Sequence, residues 1–124
     1  MSRVLVAACE FILGLIFGAI MTFGHQAEVS IGTVGVPWGI IAACFGVAAL
    51  LIGYRLLSRN RWAVIWVALG IIMAVLVLSL PGPGGSVLVP AGVVGIIWSI
   101  APTCIAALVI AWPAQLRTAR VVKE

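Results

Sequence analysis

Residues 4–24 read VLVAACEFILGLIFGAIMTFG, twenty-one positions with a single formal charge, Glu10. A run of that length and apolarity suits a membrane-spanning helix, since about 20 residues rising about 1.5 Å each cross about 30 Å of hydrocarbon. Three further runs follow: PWGIIAACFGVAALLIGYRLL over 37–57, WAVIWVALGIIMAVLVLSL over 62–80 and AGVVGIIWSIAPTCIAALVIAW over 91–112. The rest of the chain leaves no material for a water-facing shell. Of 124 residues, 65% are hydrophobic and 8% charged, with a mean hydropathy of +1.33, against roughly 25% charged residues in a soluble domain. The sequence predicts an all-α integral membrane bundle of four transmembrane helices over residues 1–113, followed by a basic tail over 114–124.

The cationic residues set the expected topology. Arg3 precedes the first span, Arg55, Arg59 and Arg61 border the connection between the second and third, and Arg117, Arg120 and Lys123 follow the fourth. All seven fall on one side, while HQAEVSIGTVGV (25–36) and PGPGGSVLVP (81–90) carry no Lys or Arg. Cytoplasmic flanks collect Lys and Arg, so both termini are expected in the cytoplasm of a multi-pass protein of the plasma membrane. The net charge of +4 then reflects topology and attraction to anionic lipid, not nucleic-acid binding. Trp38 at one boundary and Tyr54, Trp62 and Trp112 at the other occupy interface positions. Trp98 lies about two turns inside its span, as a helix-packing or lipid-facing residue.

Several local patterns carry no chemistry. LVAAC, ending at Cys9, has the outline of a lipoprotein cleavage box, but the apolar run continues past it and is expected to be retained. Cys9, Cys44 and Cys104 lie in three different spans without metal-ligand spacing, and read as small buried hydrophobes. PGPGGSV lacks the Lys and Ser/Thr of a phosphate loop and reads as a turn. The chain has no Asp, one His and three Glu. No nucleophile–base set, carboxylate pair or metal site can be assembled from these, so neither enzyme activity nor a cofactor is expected. His25 and Glu28 read as solvated loop residues, with a small external cation or proton site as the alternative.

Helices in lipid associate where small residues allow close approach. The first span offers Gly14 and Gly18. The second offers Gly39, Ala42, Gly46, Ala49 and Gly53 at alternating spacings of three and four, a seam for a left-handed crossing. In the fourth, Ala91, Gly95, Ser99, Thr103, Ala107 and Ala111 recur every four residues. Pro102 interrupts this helix and frees the carbonyl of Trp98, predicting a modest kink, with Ser99 and Thr103 placed to re-satisfy the backbone.

Glu10 shares a helical stripe with Ala7, Gly14 and Gly18, about 9 Å below the boundary by helical rise. An ionisable residue at that depth is a functional hypothesis with a partner to be named. Arg55 is the partner expected. In the favoured reading Glu10 pairs with Arg55, or is protonated and bonded to backbone, and locks helices together. In the other it exchanges a proton for substrate.

Leu78–Trp98, LSLPGPGGSVLVPAGVVGIIW, together with the R…R.RW pattern formed by Arg55, Arg59, Arg61 and Trp62, resembles a group of uncharacterised actinobacterial four-helix membrane proteins. This likeness covers the second half of the chain and implies a fold and a membrane location, with no activity. In size and in a lone first-helix Glu, Glu10, the chain also resembles small multidrug exporters, whose other motifs do not follow. The role expected is a non-catalytic accessory, assembly or stabilising subunit of a larger membrane complex, or a homo-oligomer, surrounded by the lipid bilayer. The alternative is a small proton-coupled transporter using Glu10. The tail AQLRTARVVKE is expected either on the inner leaflet or in solvent.

Overall fold

The computed structural model describes residues 2–58, 60–82 and 92–113. Four helices form: α1 (Arg3–Gly24), α2 (Trp38–Leu57), α3 (Arg61–Ser79) and α4 (Val93–Ala111). All four are long and apolar enough to cross a membrane, and each lies within about two residues of its predicted span. Arg59, residues 83–91, which hold all but the first two residues of the PGPGG turn, and the basic tail lie outside the described residues.

Local chemistry sets the helix ends. The Ser2 hydroxyl accepts from the Leu5 amide at 3.3 Å and starts α1. Asn60 Oδ1 accepts from the Trp62 amide at 3.1 Å and starts α3, both being side-chain caps for otherwise orphaned helix donors. Pro37 stands one residue before α2 as its N-cap. Pro102 is buried and α4 continues through it. Ser99 Oγ donates to Gly95 O at 2.8 Å, one turn before the carbonyl that Pro102 frees.

The connection between α1 and α2 is more than a loop. It contains an antiparallel hairpin, β1 (Val29–Ile31) paired with β2 (Val34–Val36), in the register Val29↔Val36, Ser30↔Gly35, Ile31↔Val34. Gly32 turns the chain at φ +66° and Thr33 keeps negative φ, as in a two-residue turn with glycine first.

The core lies among α2, α3 and α4: Ile40, Val47 and Leu51, then Val64, Val67, Ile71 and Val75, then Trp98, Ala106 and Val109. α3 is the most enclosed helix. α1 contributes only Gly14, Gly18 and Thr22 as fully buried residues, yet it makes the closest backbone approach in the molecule. A β-carbon on Gly14 would overlap the Val67 carbonyl, and one on Gly70 would overlap the Phe11 carbonyl. One on Gly18 would stand 2.8 Å from Ile71 Cα. α1 and α3 therefore run parallel in contact, as membrane helices do where small residues meet. The outer surfaces of all four helices are apolar, including Ile12, Ile16 and Ile20 on α1, Phe45 on α2, Leu76 on α3 and Ile96 on α4. Such a surface suits lipid.

Two ends of the bundle can be distinguished. One, the basic end, carries Arg3, the end of α2 with Arg55, the start of α3 and the end of α4. The other carries the hairpin.

Candidate functional site

At the basic end α1 and α3 leave a cavity of about 1180 Å³ between their first turns. Arg3, Ala7, Glu10 and Phe11 line it from α1, Ser58 and Asn60 from the connecting turn, and Trp62, Ala63 and Trp66 from α3. Glu10 is half-buried and stands one residue before Phe11, whose carbonyl abuts Gly70. It therefore marks the point where the cavity gives way to the α1–α3 contact. By helical rise it stands about 10 Å from Arg3. Its stripe turns into the bundle, against α3, where Gly14 and Gly18 make the contact.

Arg55 goes elsewhere. Its Nη2 donates to Trp112 O at 3.0 Å, joining the end of α2 to the end of α4, and its Nε is buried without a partner. A guanidinium at a helix C-terminus meets carbonyls that lack intrahelical donors. The expected Glu10–Arg55 pair is thus replaced by a cavity-lining carboxylate and an interhelical clamp. The α1 stripe turns towards α3, whereas Arg55 sits where α2 meets α4.

The second polar cluster, near the hairpin end, contains residues the sequence reading treated as unrelated. Trp98 is fully buried, and its Nε1–H donates to Thr22 Oγ1 at 3.1 Å. Thr22 in turn donates to Gly18 O at 2.7 Å. The His25 ring stacks on the Trp98 indole, centroids 5.3 Å apart with 13° between planes. His25 Nδ1–H donates to the Thr22 carbonyl, which leaves Nε2 as the lone-pair nitrogen, and this atom is buried with no partner. Burial draws the imidazole below its ordinary pKa, outweighing the opposing effect of the Thr22 bond.

His25 is therefore no solvated loop residue: it is fully buried. α1 persists to Gly24, so His25 caps the helix, three residues beyond Thr22 and on the same face. Glu28 is exposed. Trp98 is the helix-packing residue of the two possibilities. The cysteines also differ from expectation: Cys9 and Cys104 are exposed and Cys44 is half-buried, all three free. Cys9 and Cys104 stand on helix faces turned from the core, whereas Cys44 packs against it.

Comparison with known proteins gives no match. No family model fits the chain, and no curated protein or solved structure is similar to it.

The packing seams rearrange relative to expectation. On α2, Gly39 meets the backbone of Gly24 and Ala27, and Gly46 meets Met21 and Phe17, but Gly53 has open space beside it. Gly39 and Ala43 share the inward face with the larger Ile40, Val47 and Leu51. On α4 the buried set is Gly95, Trp98, Pro102, Ala106 and Val109, so Ser99, Thr103, Ala107 and Ala111 face outward. Gly70 was missed altogether. An isolated glycine in mid-span was its only signal.

Proposed function

We propose that this protein is a non-catalytic accessory or assembly subunit of a larger membrane complex, held in the plasma membrane with its basic end in the cytoplasm. The observation that carries the reading is the outward face of α4. Ser99, Thr103, Ala107 and Ala111 form a narrow strip of small side chains directed away from the bundle, where a partner helix gains close backbone approach. The arginines at the basic end support the orientation through the usual charge asymmetry of membrane proteins.

The test is purification of the tagged chain from its native membrane in mild detergent, with native mass and companions measured. A stoichiometric larger membrane protein is the expected outcome, lost on Ala107→Leu with Thr103→Leu while the chain still purifies. A monomer without companions overturns the reading.

A second reading, a small proton-coupled transporter, draws support from Glu10 lining the α1–α3 cavity in place of an Arg55 pair. It predicts that Glu10→Gln abolishes coupled uptake or efflux in vesicles; transport that survives the change removes it. The α1–α3 backbone contact beyond Glu10 would have to open for any substrate to pass.

A further inference from the structure

The hairpin between α1 and α2 plays no part in either role. Directly opposed residues of an antiparallel pair share a face, so Val29 with Val36 and Ile31 with Val34 present four β-branched side chains together. Ser30 and Gly35 occupy the other face. Glu28 lies over it, its Oε2 3.5 Å from where a β-carbon on Gly35 would stand. The hairpin is amphipathic, and its apolar face is bare: Ile31 is 68% and Val34 63% exposed.

The tether decides what meets that face. The hairpin hangs between Gly24, the last residue of α1, and Trp38, the first of α2. Strands of three residues at about 3.3 Å each extend about 10 Å. The headgroup layer of one leaflet is itself roughly 5–8 Å deep, from the difference between total and hydrocarbon thickness. A hairpin so short cannot leave the interfacial zone by more than its tip. An exposed Trp38 stands at its base, at the start of α2, a residue type that settles at the membrane–water boundary. Residues 25–36 carry no Lys or Arg, so attachment there owes nothing to anionic lipid.

We propose that the Val29–Val36 hairpin is an interfacial anchor, its Val29/Ile31/Val34/Val36 face lying on the lipid of the adjacent leaflet and its Ser30/Gly35 face, with Glu28, turned to water. The proposal rests on the four helices crossing the bilayer, and is independent of any partner for α4.

The test uses the full chain with Cys9, Cys44 and Cys104 changed to Ala and single cysteines carrying an environment-sensitive fluorophore, reconstituted in phosphatidylcholine vesicles. Ile31→Cys reports the apolar face, Ser30→Cys the opposite one, and Leu69→Cys the outward surface of α3. The expected result is quenching of the Ile31 label several-fold stronger by a shallow lipid-attached nitroxide than by aqueous iodide. The Ser30 label shows the reverse, and neither changes when anionic lipid is added. Val34→Cys, across the register from Ile31, replaces the first site if that variant misfolds. Iodide quenching of both hairpin faces overturns the anchor. Protection of the Ile31 label from both quenchers also overturns it, and assigns the face to a second copy of this chain. Iodide reaching the Leu69 label defeats the membrane-spanning reading itself, and the anchor with it.

Discussion

Thr22 illustrates how much one hydroxyl can hold in a bundle with few polar groups. It donates within its own helix to Gly18 O and accepts from the Trp98 indole across the bundle. Thr22→Val keeps the shape and leaves a buried indole N–H unpaired, a loss of about 1–3 kcal/mol. Denaturant unfolding in mixed micelles measures it, with Thr22→Ser expected to retain most of the stability. His25 adds a pH dependence of defined sign. Its pKa is lowered by burial, so between that lowered value and the ordinary one near 6.5 the unfolded chain binds more protons than the folded one. Stability then falls as pH drops below about 6.5 and levels off once the folded imidazole is also protonated. Thermal unfolding from pH 8 to pH 4.5 should show this slope, and His25→Phe, which keeps a stacking ring without a titrating group, should flatten it. Little of this cluster was legible. Trp98 stood out by depth, but its acceptor lies 76 positions away, and His25 looked like the first loop residue because a helix cap and a loop share one composition.

Among the elements, the packing face of the first helix was read well, and those of the second and fourth only in part. Gly14 and Gly18 mark a contact because a β-carbon at either would strike α3 backbone. On α2 the small-residue seam holds at Gly39 and Gly46, which meet α1 and the turn after it, and fails at Gly53; on α4 Gly95 turns inward while Ser99, Thr103, Ala107 and Ala111 stay outside. Spacing alone cannot tell a stripe that closes an interface from one that lies bare. The hairpin, by contrast, was legible and passed over: VSI and VGV alternate at period two around a Gly-Thr turn. The glycine contact yields a sharp expectation. Gly70→Val inserts atoms where the Phe11 carbonyl stands and should cost about 1–3 kcal/mol or more. Spin-label distances should lengthen between α1 and α3 while those between α2 and α4 hold. Gly53→Ala, beside open space, should leave both unchanged.

For the molecule as a whole, composition was a reliable guide to the helices: a chain so poor in charge forms four, each long and apolar enough to cross a membrane, and their outward surfaces suit lipid. The cationic asymmetry gives a sidedness that can be checked directly. In intact cells, a membrane-impermeant maleimide should label Thr33→Cys in a cysteine-free background, and Ser58→Cys only after permeabilisation; the opposite pattern reverses the orientation. The parallel seating of α1 on α3 has a further consequence, for the order of synthesis. α1 is made before α2 and α3, and the helix that receives Gly14 and Gly18 begins only at Arg61, after the hairpin and all of α2. Until then the glycine groove of the first helix has no partner within the chain, and on the membrane-spanning reading we expect the insertion machinery to shelter it. Ribosomes stalled before and after α3 emerges should therefore differ in how strongly α1 crosslinks to that machinery, and the contact should be released once Gly70 is in the bilayer.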